Sequence, residues 1–196
     1  GFKSAKIKVG GFGIQADHDR VAAVRAAVGS AMKLRMDANC LYDAKTSLEL
    51  CKLVKKYDMQ LFEQPAPKED IEGLAKVRRE GGIAVMADET VADHASLMAV
   101  IKGNAADYVK FGIKQAGGIL RSQRMLATAE AAGIPVVIGH GFGLDPSTMA
   151  ECMLAATSRG VLAGLECVGP LKVVDTITTT RMDISTGRLT LPDAPG

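Results

Sequence analysis

A near-constant repeat of strand-like and helix-like segments constrains the fold of this chain more than any other feature of its sequence. Short apolar runs with the pattern of strands recur at intervals of 24 to 29 residues. They begin near Ser4, Lys33, Met59, Ile83, Asp107, Pro135 and Val161. An amphipathic, helix-like segment fills each interval, so about seven βα repeats are predicted. The first of these helices is predicted over 17–31, with Asp17 as its N-cap. Strands and helices that alternate in this way build a parallel sheet covered by helices.

Polar residues stand in or at the ends of most of these strands, and they favour one of two architectures. They are Lys6 and Lys8 in the first strand, Asp37, Glu63 and Asp88 at the ends of the next three, His140 after the sixth and Glu166 after the seventh. In a doubly wound open sheet the outer strands would lie roughly 29 Å apart, at about 4.8 Å per strand. A closed barrel gathers all strand ends at one face.

We therefore expect an α/β fold of the TIM (β/α)8 type, in which one strand is missing. This incomplete barrel is predicted to cover residues 1–171. Residues 172–196 break the alternation and are expected to form a tail of short strands. The open sheet is the alternative architecture.

Three carboxylates at successive strand ends predict a metal site. Asp37, Glu63 and Asp88 are separated by 26 and 25 residues, which is the length of one repeat. Carboxylate oxygens suit a hard divalent cation, so Mg²⁺ is expected, with Mn²⁺ as a substitute. Taken singly, each acid could instead cap a helix or lie in a loop. Asn39, two residues after Asp37, could touch the site or shape the loop, and Gln64 and Glu89 could support the ligands.

A K-x-K pattern in the first strand predicts a general base beside that metal. Strand periodicity places Lys6 and Lys8 on one face. A second ammonium group and a divalent cation nearby would favour the neutral amine of Lys8, which makes it a usable base. The alternative is a solvated edge strand with two surface lysines.

Composition excludes several classes of function. Net charge is only +2, from 24 basic and 22 acidic residues that are interspersed, so no nucleic-acid partner is expected. No apolar run approaches the roughly 20 residues needed to span a bilayer, so no membrane partner is expected either. The four cysteines show no CxxC spacing, which is typical of reduced thiols in a cytoplasmic protein. The chain opens in mid-pattern at Gly1 and is expected to be a piece of a longer polypeptide.

Six motifs, taken together, carry a family resemblance. They are K-I-K, M-D-A-N, F-E-Q-P, A-D-E-T, A-G-G-I and L-E-C-V-G-P. In this order and spacing the chain resembles the barrel domain of the enolase superfamily, in the mandelate racemase/muconate lactonizing enzyme family and its muconate cycloisomerase-like branch. The resemblance covers essentially the whole chain, and it implies that the missing strand is the first strand of the barrel. It implies a Mg²⁺-dependent enzyme that removes the proton α to a carboxylate and forms a metal-stabilised enediolate.

The same resemblance implies roles for individual residues. Asp37, Glu63 and Asp88 would be the Mg²⁺ ligands. Lys8 would be a catalytic base, and Lys6 would help to hold the substrate carboxylate. Glu166 matches the acidic residue that ends the last barrel strand, although it could equally cap a loop.

One position departs from the pattern of this branch. A second catalytic lysine is expected five residues before the Gly-Gly that opens a helix, and Gly112 occupies that position. Lys110 and Lys114 flank it and would share its strand face if the strand continued that far. We hypothesise that Lys110 is a relocated acid/base. In the competing account Lys8 is the only base, and the second face is served by His140 or by nothing.

The expected function follows from the shared proton-abstraction step. The leading reading is cycloisomerisation of a small-molecule carboxylate, with racemisation, epimerisation or dehydration of amino-acid or hydroxy-acid derivatives as alternatives. A non-catalytic relative or inactive fragment is an alternative of another class. Relatives carry an N-terminal capping domain and are usually homo-oligomers, so the resemblance implies both for the parent protein.

Overall fold

A computed structural model describes residues 1–139, 143–162, 164–179 and 181–193 of the chain. The chain divides into two compact units, one formed by Lys3–Val109 and the other by Gly1–Phe2 with Lys110–Gly196. His140, a predicted site residue, lies outside the described residues. No helix in the described ranges is both long enough and apolar enough to cross a membrane.

The Lys3–Val109 unit alternates strands and helices throughout. Its elements are β1 Ser4–Lys8, α1 Ile14–Val28, β2 Lys33–Asp37, α2 Ala44–Val54 with a 3-10 turn at Lys55–Tyr57, β3 Met59–Glu63, α3 Ile71–Glu80, β4 Val85–Ala87, α4 His94–Lys102, and the start of β5 Tyr108–Phe111. Asp43, Asp70 and Asp93 cap α2, α3 and α4, each accepting a hydrogen bond from a backbone N–H of the first turn.

Strand register places the predicted site residues on one face of this unit. All pairs are parallel, and Lys6 lies beside Arg35 while Lys8 lies beside Asp37. Asp37 in turn lies beside Glu63. Side chains alternate between the two faces of a strand, so Lys6, Lys8, Asp37 and Glu63 share one face of the sheet with Arg35. Apolar side chains such as Leu34, Met36 and Phe62 alternate with them and are fully buried.

The second unit continues the pattern with fewer strand residues. Its elements are the end of β5, α5 Ile113–Ala116, α6 Ile119–Ala131, β6 Val136–Ile138, α7 Asp145–Ala155 and α8 Gly169–Lys172. The amide of Gly139 donates to the carbonyl of Phe111, which joins β6 to β5. The strands follow chain order, β1-β2-β3-β4-β5-β6, which confirms the predicted parallel α/β arrangement.

Three local expectations are wrong. The strand predicted near Val161 is reduced to a single bridge with Val136. The described residues of the tail, 172–179 and 181–193, contain no strand and consist of the end of α8, bends, turns and irregular segments. Helix α1 begins at Ile14, so Asp17 is not its N-cap but a buried residue within its first turn. For α1 the pattern was local, whereas the carboxylate of Asp17 accepts hydrogen bonds from the amide of Gly10 and the hydroxyl of Tyr42.

Candidate active site

Two lysines of β1 and the carboxylates that end β2 and β3 form a compact charged cluster. Lys6 Nζ lies 2.6 Å from Glu63 Oε2 and 3.5 Å from Asp37 Oδ2. Lys8 Nζ lies 2.6 Å from the same oxygen of Asp37. The two carboxylates are fully buried, and buried charges persist only when opposite charges accompany them. The ammonium groups therefore compensate the charge of the two acids inside the unit.

The two lysines differ in their access to solvent. The side chain of Lys6 is 19% exposed, whereas that of Lys8 is 65% exposed. The ammonium group of Lys6 thus lies inside the unit and forms ion pairs with both Asp37 and Glu63. Lys8 reaches the surface and can meet a bound molecule.

Asp88 is placed by the carboxamide of Gln64. Gln64 is fully buried, and its φ of 39° turns the chain sharply after β3. Its Oε1 accepts from the backbone amides of Asp88 at 3.0 Å and Thr90 at 3.2 Å. Its Nε2 donates to the carbonyl of Ala66 and the hydroxyl of Thr90. One side chain therefore ties the end of β3 to the end of β4, and the sequence prediction of a supporting role for Gln64 agrees with this arrangement.

Asn39 connects Lys8 to the acidic residues Asp37 and Glu89 through hydrogen bonds. Its Oδ1 accepts from Lys8 Nζ at 2.5 Å, and its backbone amide donates to Asp37 Oδ1 at 2.9 Å. Its Nδ2 donates to Glu89 Oε1 at 2.9 Å. Asn39 both shapes the loop after β2 and touches the cluster, so the two roles left open by the sequence coexist.

The donor set of the cluster suits a hard cation. Asp37, Glu63 and Asp88 are buried carboxylates at the ends of three adjacent parallel strands. Glu89 Oε2 is a further buried carboxylate oxygen that accepts no hydrogen bond within the described chain. Over the described ranges, however, no three His, Cys, Asp or Glu side chains already converge as a finished metal site. The carboxylate oxygens of Asp37 and Glu63 lie against ammonium groups, which supply the positive charge there.

A cleft of about 710 Å³ runs along β1 in the same unit. Lys6, Lys8 and Asn39 line it together with Phe12, Arg20 and Leu41, among others. Phe12 and Leu41 are large apolar side chains that stand exposed. The cleft thus offers cationic and amide groups for a carboxylate, and apolar surface for the rest of a small molecule.

In the second unit, Lys110 pairs with Glu166. Lys110 Nζ lies 2.9 Å from Glu166 Oε2, and both side chains are largely buried. The sequence named both residues without predicting that they meet. Gly112 caps α5 in an extended conformation, so β5 ends at Phe111 and Lys114 lies on a helix. The strand does not continue as far as Lys114, so Lys114 does not share a strand face with Lys110.

Sequence reasoning missed a buried acid and a thiol pair in this unit. Burial raises the pKa of Glu151, although a hydrogen bond from Cys167 and the charge of Lys110 oppose the rise. Interaction with the Cys167 thiol lowers the pKa of Cys152, whereas interaction with Cys152, together with burial, raises the pKa of Cys167. Glu151 and Cys152 lie inside α7 without any motif, so no local signal could have identified them.

Comparison with known families identifies the chain. A family model described as enolase C-terminal domain-like matches residues 1–196. The chain belongs to the enolase C-terminal domain-like family. This confirms the resemblance drawn from the six motifs, because the matching relatives are muconate cycloisomerases and dipeptide epimerases.

Curated relatives in this family are identical to the chain at about a third of the aligned positions. A hydrophobic dipeptide epimerase from Enterococcus faecalis is 33% identical over 196 residues, which is 100% of this chain and 51% of that protein. Muconate cycloisomerase 1-1 from Acinetobacter lwoffii is 31% identical over 191 residues, 97% of this chain and 50% of that protein. The chain thus spans about half the length of the curated relatives it matches.

Solved structures confirm the barrel-type fold. The L-Ala-D/L-Glu epimerase from Bacillus subtilis, in a substrate-liganded complex, superposes with a TM-score of 0.95 at 30% identity over 100% of this chain and 55% of that chain. Muconate lactonizing enzyme from Pseudomonas putida superposes with a TM-score of 0.89 at 24% identity, over 93% of this chain and 51% of that chain. The second likeness shows the fold alone.

Proposed function

We propose that the protein containing this chain is a Mg²⁺-dependent enzyme that removes the proton α to a carboxylate, with Lys8 as the base. The observation that carries this proposal is the Lys6, Lys8, Asp37 and Glu63 cluster at one end of a parallel sheet. Membership of a family whose relatives are named as epimerases and cycloisomerases supports the same reaction class.

Lys8 is suited to proton abstraction by its position. Its ammonium nitrogen is held by Asp37 at 2.6 Å and by Asn39 at 2.5 Å, while most of its side chain lies open to the cleft. Two fixed acceptors orient the nitrogen, and an oriented base contributes about 10²–10⁴-fold to a rate. Lys6, locked between two carboxylates, contributes positive charge close to the point where the substrate carboxylate would gain negative charge.

Asp37, Glu63 and Asp88 would hold the Mg²⁺ ion. When bound, the ion supplies positive charge that stabilises the second negative charge developing on the substrate carboxylate. Gln64 fixes the backbone from which Asp88 reaches out, and Lys6 balances the charge of the other two acids.

Lys110 stays a predicted acid/base group. Its nitrogen is held by Glu166 at 2.9 Å in the second unit, whereas Lys8 is the base that the charged cluster supports. We therefore propose cycloisomerisation, which needs one base, as the leading reaction and epimerisation as the second candidate. The similarity to dipeptide epimerases, at 33% and 30% identity, is what favours the second.

The test is α-proton exchange in D₂O with MgCl₂, followed by ¹H NMR on the full-length protein. The substrate panel contains muconate, L-Ala-L-Glu, hydrophobic dipeptides and acid sugars. We expect exchange or turnover of at least one compound, and a loss of at least about 100-fold in Lys8→Met. Lys33→Met, which removes an exposed charge from β2, is the matched control and should keep full activity.

The remaining outcomes separate the candidates. Loss of stereochemical inversion in Lys110→Met, with α-exchange retained, would establish Lys110 as the second acid/base of an epimerase. Wild-type turnover in that variant would refute the relocated lysine. Absence of exchange across the panel, together with no Mg²⁺ binding at millimolar concentration by calorimetry, would instead identify a non-catalytic relative.

A further inference from the structure

Asp17 is a buried carboxylate that the proposed chemistry does not use. It lies in the first turn of α1 and is fully buried, at 0% exposure. A carboxylate in the first turn of a helix is stabilised by the helix dipole, but a fully buried one also needs specific partners. Its partners come from three different segments of the Lys3–Val109 unit.

Two of those partners hold the loop that follows β1. Asp17 Oδ2 accepts from the backbone amide of Gly10 at 2.6 Å. Asp17 Oδ1 accepts from Arg20 Nη1 at 2.5 Å, and the same guanidinium nitrogen donates to the carbonyl of Lys8 at 3.0 Å. Hydrogen bonds thus hold the backbone at the carbonyl of Lys8 and at the amide of Gly10, on either side of Val9.

The third partner holds the loop that follows β2. The hydroxyl of Tyr42 donates to Asp17 Oδ2 at 2.5 Å. In this loop Asn39 and Cys40 adopt φ values of 43° and 64°, which non-glycine residues rarely adopt. Such backbone persists only where surrounding contacts determine it, and the Tyr42–Asp17 bond is one such contact.

The two loops touch each other directly at Gly10. Its φ is 99°, and a Cβ added there would lie 2.8 Å from the Cβ of Leu41. Only glycine allows this close approach. The contact brings the loop after β1 against the loop that carries Asn39, whose Oδ1 receives the hydrogen bond of Lys8 Nζ.

We propose that Asp17 is a positioning residue that ties the loops after β1 and β2 together, and thereby fixes the geometry between Lys8 and Asn39. It touches neither group itself. It acts through Gly10 and Arg20 on the backbone of Lys8, and through Tyr42 on the loop of Asn39. This inference rests on the proposed role of Lys8 as a base.

The test compares Asp17→Asn with Arg25→Ala in the full-length protein. Arg25 lies at the opposite end of the same helix, where it donates to the carbonyls of Tyr57 and Asp58, so its loss controls for destabilised α1. A misplacement of about 1 Å costs on the order of 100-fold in rate. We expect kcat for α-proton exchange to fall about 10–100-fold in Asp17→Asn, with KM changed less than about threefold, and to stay unchanged in Arg25→Ala.

A second readout requires no substrate. Hydrogen–deuterium exchange followed by mass spectrometry should show faster exchange in the loops after β1 and β2 in Asp17→Asn, but not in Arg25→Ala. If Asp17→Asn does not fold, Tyr42→Phe removes one hydroxyl only and should show the same pattern with a smaller amplitude.

Two results would overturn the proposal. One is a wild-type rate of amide hydrogen exchange in both loops of the Asp17 and Tyr42 variants. The other is a wild-type kcat in Asp17→Asn when that variant is folded to the same extent as the wild type. An equal loss of kcat in Arg25→Ala would also overturn it, because the effect would then be general destabilisation. If the wild-type protein catalyses no α-proton exchange in any substrate, the proposed function fails. Amide hydrogen exchange in the two loops then decides whether Asp17 anchors them.

Discussion

Replacement of Lys6 by methionine tests the charge balance of the candidate site. The methionine keeps most of the volume of the side chain and removes its charge. Lys6 lies 2.6 Å from Glu63 and 3.5 Å from Asp37, and both carboxylates are buried. Removal of one partner from a buried ion pair costs about 3–5 kcal/mol. Lys6 is partly exposed and Lys8 still pairs with Asp37, so we expect a smaller loss, about 2–3 kcal/mol.

The assay is thermal unfolding of the full-length protein with EDTA and with MgCl₂. In a domain of this size 1 kcal/mol shifts Tm by about 2–4 °C, so Lys6→Met should melt about 4–12 °C below wild type in EDTA. A ligand at 100 times its Kd adds about 2.7 kcal/mol of stability. Mg²⁺ should therefore restore most of the loss in Lys6→Met, because it replaces the missing positive charge.

The control for Lys6→Met is a lysine of the same sheet that contacts no buried acid in the described part of the chain. Lys33→Met removes an exposed lysine from β2 and should melt within about 1 °C of wild type under both conditions. If Lys6→Met also melts at the wild-type temperature in EDTA, Lys6 does not compensate the buried acids. If Mg²⁺ raises both Tm values equally, the ion does not bind where Lys6 acts.

Three further predictions concern other groups of the chain. Burial raises the pKa of Glu151, so the folded state binds this proton more tightly than the unfolded state, and the contribution to stability is lost as pH rises through the folded pKa. Glu151→Gln should therefore melt above wild type at pH 8 and level with it at pH 4; an equal gain at both pH values would contradict this. Interaction with a neighbouring thiol lowers the pKa of Cys152, whereas burial raises that of Cys51 to about 12. Iodoacetamide at pH 7.5 should label Cys152 well before Cys51, as followed by mass spectrometry. Equal labelling rates would refute the difference in pKa between the two thiols. Gln64→Ala leaves the backbone amide of Asp88 without its acceptor, so Mg²⁺ affinity by calorimetry should fall about 10–100-fold, and unchanged affinity would exclude this positioning role.

The sequence predicts the fold and the strand-end acids because both depend on short-range rules. The repeat length sets one strand and one helix per interval, and the carboxylates of Asp37 and Glu63 fall on the last residues of β2 and β3. Asp43 and Asp93 begin helices because a carboxylate satisfies the free amides of a first turn. Such signals need no knowledge of what packs against them.

The same rules fail where a distant partner determines the conformation. Asp17 has the composition and position of an N-cap, yet its carboxylate bonds the amide of Gly10 and the hydroxyl of Tyr42, 25 residues away. The pairing of Lys110 with Glu166 joins residues 56 positions apart, and Glu151 lies inside a helix whose sequence has no motif. No pattern within a window of 10 to 20 residues contains both members of the Asp17–Tyr42 pair or of the Lys110–Glu166 pair.

Charge counting over the candidate site connects the metal with the kind of substrate. Asp37, Glu63 and Asp88 carry three negative charges. Lys6 and Arg35, which lie on the same face of the sheet as Asp37 and Glu63, carry two positive charges, while Lys8 must be neutral to act as the base; this leaves −1 in a largely buried space. A divalent cation bound there would change this sum to +1, and one substrate carboxylate would then bring it to zero. Burial of net charge is costly in either direction. The five side chains are therefore best compensated when the ion and an anionic substrate are both present, and an uncharged analogue of the substrate should bind weakly even with Mg²⁺ in place.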